Sequence, residues 1–133
     1  MKVDWSRSKH FNPRTDPRMK CRCCGLLAPT HEIVRLINEI REEYGDAIEV
    51  NNLTRCTKHN SKVGGARNSY HIAMPVREVF SEACDIRPRN PGKMDELHKA
   101  CLAVLDGDGG CIRYKTFIHC DVRPSKYRAR KDR

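Results

Sequence analysis

At 133 residues the chain has room for one domain and one modest core, enough to bury roughly two thirds of its unfolded surface. Charged residues make up 32% and aromatics only 6%, with a formal net charge of +9. No run approaches the about 20 apolar residues of a membrane-spanning helix, and no repeat or low-complexity tract occurs, which excludes a spanning helix and a repeat architecture.

Met1-Lys2-Val3-Asp4-Trp5 lacks the apolar stretch of a signal peptide, so the expectation is a soluble product made in the cytoplasm. Residues 1–24 are polar, with Pro13 and Pro17 against a helix, and read as an irregular arm. Thr30 is a candidate helix cap. Beyond it Ile33, Leu36, Ile37, Ile40 and Tyr44 recur at helical spacing until Gly45 supplies a stop. Residues 47–53 carry Ile48 and Val50 in a strand-like pattern, and residues 54–69 read as a polar loop containing Gly64-Gly65. Residues 72–80 show no clear period, and 83–87 read as a short buried strand. A second helix is predicted over 94–105 from Leu97, Ala100, Cys101, Val104 and Leu105. Residues 107–110 form a Gly-rich turn, after which 111–114 and 117–122 read as adjacent strands. Helices segregated from mostly antiparallel strands predict a single α+β domain over 1–133, one small, mainly antiparallel sheet with helices packed on it.

From Arg123 onward six basic residues face one acid, Asp132. This end is either a solvated, mobile tail or an electrostatic anchor to an anionic polymer, nucleic acid or bacterial wall. A nucleic-acid role has neither stacking aromatics nor a recognised fold behind it. Eight cysteines are many for a chain with no address to an oxidising compartment. Cys84 and Cys101 read as reduced, buried thiols. Cys21-x-Cys23-Cys24 is a candidate second metal site, although its spacing is not the usual C-x-x-C.

Three segments concentrate the chemistry: His71 just past the Gly-rich loop, Asp85 in Ala83-Cys84-Asp85-Ile86, and His119 in Phe117-Ile118-His119-Cys120-Asp121-Val122. Two histidines and a carboxylate without a fourth ligand match a catalytic zinc, whose open position holds water. Strand alternation puts His119 and Asp121 on one face and Ile118 and Cys120 on the other.

Thr54-Arg55-Cys56-x-x-His59-Asn60-x-x-Val63-Gly64-Gly65-Ala66-x-Asn68-Ser69-x-His71, then Ala83-x-Asp85-Ile86 and Phe117-Ile118-His119-x-Asp121-Val122-Arg123, resemble the D-alanyl-D-alanine carboxypeptidase family of zinc peptidases, the M-15 class. Relatives of that family include phage endolysins, vancomycin-resistance dipeptidases and the Hedgehog signalling domain. His10-Phe11 with Cys21-x-Cys23-Cys24-Gly25 is similar to the Cys-rich start of its short members. The resemblance implies a Hedgehog/DD-peptidase-like fold and zinc held by His71, Asp85 and His119. It also implies that Arg55 and Ser69 hold the carboxylate of a peptidoglycan stem peptide. A guanidinium fork independently suits a carboxylate.

The sequence departs from the family pattern twice. His71 and Asp85 stand fourteen positions apart, wider than the family's usual spacing. Ser81 stands where the family has glycine, and Glu78 is the alternative carboxylate at the usual spacing. Residues 72–80 are therefore expected to bulge at the rim of the cleft. Nor does a carboxylate or histidine precede His119 where many relatives place the general base, which leaves Asp121 and Asp108 as candidates. The expectation is a zinc peptidase of D-Ala-D-Ala or endolysin type, acting on the cell wall after release from the cytoplasm. The alternative is a zinc-bearing binding module without turnover.

Overall fold

The computed structural model describes residues 3–132. Among them, five strands form one mixed sheet: β1 (Ile48–Asn52), β2 (Ala83–Pro88), β3 (Gly110–Tyr114), β4 (Ile118–Asp121) and β5 (Tyr127–Lys131). Their order is β1-β2-β4-β3-β5, antiparallel throughout except for the parallel β3–β5 edge. Helices α1 (His31–Tyr44) and α3 (Met94–Leu105) pack together and against the sheet, and a short α2 (Thr57–Lys62) stands beside the site. This is the α+β architecture that the sequence predicts.

Helix α1 begins where Thr30 Oγ1 accepts from the Ile33 N–H at 3.2 Å. It ends at Gly45, whose φ of 79° allows the left-handed cap that takes its N–H to the Arg41 carbonyl. Ile33, Val34, Leu36, Ile37 and Ile40 form its buried face. At α3, Asp95 and Glu96 in the first turn complement the helix dipole, and Leu97, Ala100 and Cys101 enter the core.

Register decides what each face of the sheet carries. Asp85 pairs with His119, and His119 with Ile112, so these three share one face. One residue along, Cys84, Cys120 and Cys111 make a row on the opposite face, closed over by Cys101 from α3. All four of these cysteines are buried and free.

One stretch follows the sequence-based expectation more tightly packed than its composition suggests, and two others differ from it. The arm is irregular, with single 3-10 turns at Trp5–Arg7 and Pro17–Met19, yet Phe11, Met19 and Cys21 anchor it in the core. The predicted loop 54–69 contains α2, capped by Cys56. The basic end is no free tail within its described part: β5 pairs along β3, and Arg128 Nη1 donates to the Gly109 carbonyl at 2.7 Å. Met1, Lys2 and Arg133 lie outside the described residues. None of the described helices is long and apolar enough to cross a membrane.

Candidate metal centre and its cleft

His71 is fixed before any metal is considered. Ser69 Oγ accepts from the His71 N–H at 3.2 Å, and the His71 carbonyl accepts from the Arg55 N–H at 2.8 Å. The β1 register shift near Asn52 leads into buried Leu53, whose carbonyl lies 2.9 Å from His71 Nδ1. Nδ1 therefore carries the hydrogen and donates it, so Nε2 presents its lone pair. That nitrogen is buried and takes no hydrogen bond, although Asp85 Oδ1 lies 3.1 Å away. Two acceptor atoms facing each other at this distance repel unless a cation lies between them.

His119 approaches the same oxygen from β4, with Nδ1 3.1 Å from Asp85 Oδ1. Its other nitrogen, Nε2, lies 2.8 Å from Asp121 Oδ2. The donor atoms of His71, Asp85 and His119 fall within 4.8 Å of one another. A zinc ion bound at 2.0–2.1 Å holds tetrahedral neighbours about 3.4 Å apart, so this donor set fits a divalent zinc-like cation with only small adjustment. Glu78, the alternative carboxylate, lies exposed outside the cluster at the end of a 3-10 turn.

Electrostatics bind the group together. Burial opposes the charge of Asp85, but the protonated His119 beside it, hydrogen-bonded through Nδ1, outweighs this and holds the carboxyl well below the usual range. Burial likewise opposes the His119 imidazolium, and Asp121 with Asp85 overcomes it, raising its pKa to about 9. A proton on His119 thus occupies, in the metal-free protein, the electrostatic role a cation would take.

Asp121, a candidate general base by sequence, has no oxygen to spare. Oδ1 accepts from the Gly110 N–H at 3.1 Å, the Arg123 N–H at 3.1 Å and Arg123 Nε at 2.7 Å. Oδ2 takes Arg123 Nη2 at 2.6 Å as well as His119. The residue is fully buried behind His119, which suits an orienting carboxylate and not a base facing substrate. Gly110 makes this possible, because a Cβ there would stand 2.6 Å from Asp121 Oδ1 and 2.7 Å from Arg123 Nε. Asp108, the other candidate base, is exposed on its turn and does not line the cleft.

The cleft over the cluster measures about 580 Å³. Arg55 and Ser69 line it, as the sequence suggests, together with Tyr114, Phe117, Arg123 and Lys131. Arg55 Nη2 lies 3.6 Å from Asp85 Oδ2, and Nη1 donates to buried Asn60 Oδ1 at 3.2 Å. Tyr114 and Phe117 stack at 4.5 Å. Arg123 lies between the rings of Tyr70 and Tyr127, at 4.7 and 4.6 Å. Arg123 and Lys131, which their charge places in the basic end of the sequence, stand instead in the cleft wall. The signal was the Asp121-x-Arg123 spacing, which turns both side chains the same way. Residues 72–80 also depart from expectation: Met74 and Val79 bridge to each other around an exposed tip, and none of the nine lines the cleft.

The sequence profile of the family described as Peptidase M15 matches residues 9–121. The chain therefore belongs to this peptidase family. No curated protein matches the chain.

Proposed function

We propose that the protein is a zinc-dependent peptidase that cleaves peptidoglycan stem peptides, as a D-Ala-D-Ala-type carboxypeptidase or an endolysin-like endopeptidase. The observation that carries this reading is the unpartnered, buried Nε2 of His71 facing Asp85 Oδ1, with His119 completing the set. His71, Asp85 and His119 would hold zinc, which would lower the pKa of its water toward about 7 and polarise the scissile carbonyl.

The remaining residues bind and orient. Leu53 and Asp121 select the tautomers that leave His71 Nε2 and His119 Nδ1 as ligand atoms. Arg55, Arg123 and Lys131 make the cleft basic and suit the terminal carboxylate of a stem peptide. Ser69 Oγ accepts from the His71 N–H, so its own hydrogen remains available to a substrate oxygen. On this reading the protein acts on the bacterial wall, reached by release from the cytoplasm.

The test is mass spectrometry of a pentapeptide ending in D-Ala-D-Ala. Release of D-alanine is expected, abolished by chelator and by His119→Ala, and restored to the chelated wild type by zinc. Cleavage inside the stem, with the terminus untouched, would identify the endopeptidase form. A second reading, a zinc-bearing binding module without turnover, draws on one observation: among the described residues Asp85 is the only carboxylate lining the cleft. Zinc-loaded protein that binds stem peptides and cleaves none of them would establish it.

A further inference from the structure

A second donor group lies outside the cleft. Cys21, Cys23 and Cys24 occupy one tight loop, closed by the Cys21 N–H to the Leu26 carbonyl and the Gly25 N–H to the Cys21 carbonyl, both at 2.7 Å. Cys56 comes from the start of α2, more than thirty residues further along the chain. The four sulfurs fall within 4.8 Å of one another. Cys21 Sγ stands 3.7 Å from both Cys23 Sγ and Cys56 Sγ, and Cys23 Sγ stands 3.1 Å from Cys56 Sγ.

Sulfurs bound tetrahedrally to zinc at about 2.3 Å lie about 3.8 Å apart along each edge. Two of these separations match that edge, and the third needs only a small outward shift of exposed Cys23. No pair is at bonding distance, and the sulfurs converge as a group of four. Backbone N–H groups already point at them: Cys56 N donates to Cys21 Sγ at 3.4 Å, and His59 N to Cys56 Sγ at 3.3 Å. Such bonds stabilise thiolates and recur around metal-bound sulfur.

We propose that Cys21, Cys23, Cys24 and Cys56 bind a zinc ion as a closed structural site that ties the amino-terminal arm to the wall of the cleft. Thiolate donors favour zinc over magnesium or calcium. Four protein ligands leave no position for water, so the site holds structure and carries no chemistry. What the metal would secure is specific. Cys56 directly follows Arg55, and the preceding Thr54 is docked on the arm through its N–H to the Met19 carbonyl at 3.3 Å. Zinc at the sulfurs would thus fix the segment that aims Arg55 at Asp85.

The inference stands independently of the cleft metal, and metal counting on the full chain separates the two. After exhaustive dialysis, the wild type is expected to hold two zinc ions per chain. His119→Ala and Cys23→Ser/Cys24→Ser should each hold one, and the combined variant none. Zinc lost from the cysteine variant but unchanged in His119→Ala would sink the cleft reading and leave this one standing. Cysteine variants that keep the full wild-type count would overturn this one, as would iron in place of zinc. Should the cysteine variants fail to fold, cobalt(II) added to metal-free wild type gives the answer. A thiolate-to-cobalt charge-transfer band is expected, and its absence would refute the site. A Cys23–Cys56 disulfide in protein kept under reductant would refute it equally.

Discussion

Asp121 acts on the cleft through His119 and Arg123, and its hold on His119 should read out as metal affinity. Asp121→Asn keeps the shape but offers a weaker acceptor to His119 Nε2 and leaves Arg123 without its ion pair. Loss of an orienting carboxylate of this kind costs about 10- to 100-fold in metal affinity, measurable by competition with a chromophoric chelator. Unchanged zinc affinity with lost turnover would instead make Asp121 the base. The same geometry sets a pH dependence. His119 in the metal-free protein has its pKa raised to about 9, so zinc must displace a proton below that pH. Zinc affinity should climb by about tenfold per pH unit from neutrality and level off near pH 9. A flat profile would mean that His119 does not ligate. Asn60 belongs to this scale too: buried, it accepts from Arg55 and donates to the Ala66 carbonyl at 2.9 Å. Asn60→Ala should raise KM for a peptide with a free carboxylate and leave the zinc content unchanged, as measured by steady-state kinetics and elemental analysis.

At the scale of elements, β5 and the 72–80 segment exchange the roles that their sequences suggest. Tyr127 flanks Arg123, and Lys131 lines the cleft, so truncation after Arg123 should lower the thermal midpoint and impair cleavage of small peptides as much as of whole walls. Preserved small-peptide activity would return the segment to the status of a tail. Shortening the hairpin between Met74 and Val79 should leave stem-peptide kinetics unchanged, because its Val76 tip is 99% exposed and away from the cleft. The physical reasons for these reversals also explain what was legible. Helix α1 announced itself through a five-residue apolar stripe between a threonine cap and a glycine stop. The three candidate ligands were legible through the motifs around them, and the two on strands, Asp85 and His119, stand directly opposite each other. Helix α2 is six polar residues capped by a thiol, without periodicity to betray it. Strand β5 alternates Tyr, Ala and Lys with arginines, so charge masked a period of two. Partners that act through backbone, such as the Leu53 carbonyl and the Gly110 N–H, leave no trace in residue type.

For the whole molecule, the charged cluster beneath the cleft sets a stability window. Asp85 and Asp121 are held below the ordinary value of 3.8, so their contribution is present above it and is lost as pH falls further. His119 is raised from 6.5 to about 9, so its contribution is full below 6.5 and is lost as pH rises through 9. Metal-free protein should therefore be most stable between about pH 4 and 6.5 and weaken steadily toward pH 9, as followed by thermal melts in chelator. Bound zinc should reverse the alkaline limb, because its ligands bind deprotonated. At 100 times its dissociation constant, a single bound ion adds about 2.7 kcal/mol. A zinc-loaded melt that declines in parallel with the metal-free one across pH 6.5 to 9 would contradict this account.

The thiol row formed by Cys84, Cys120 and Cys111, with Cys101 above it, backs directly onto the strands that carry Asp85 and His119. Once the chain has folded, these sulfurs are buried away from solvent. While it is folding, all of them are exposed together with Cys21, Cys23, Cys24 and Cys56, and cross-links among eight thiols vastly outnumber the native outcome, in which none is joined. The order of events then matters: a fold completed among reductants shields the core thiols from any oxidant met afterwards. Refolding from urea should recover native protein in the presence of a thiol reductant and give cross-linked, metal-poor species in air, whereas native protein moved into air should keep its inner four cysteines unmodified.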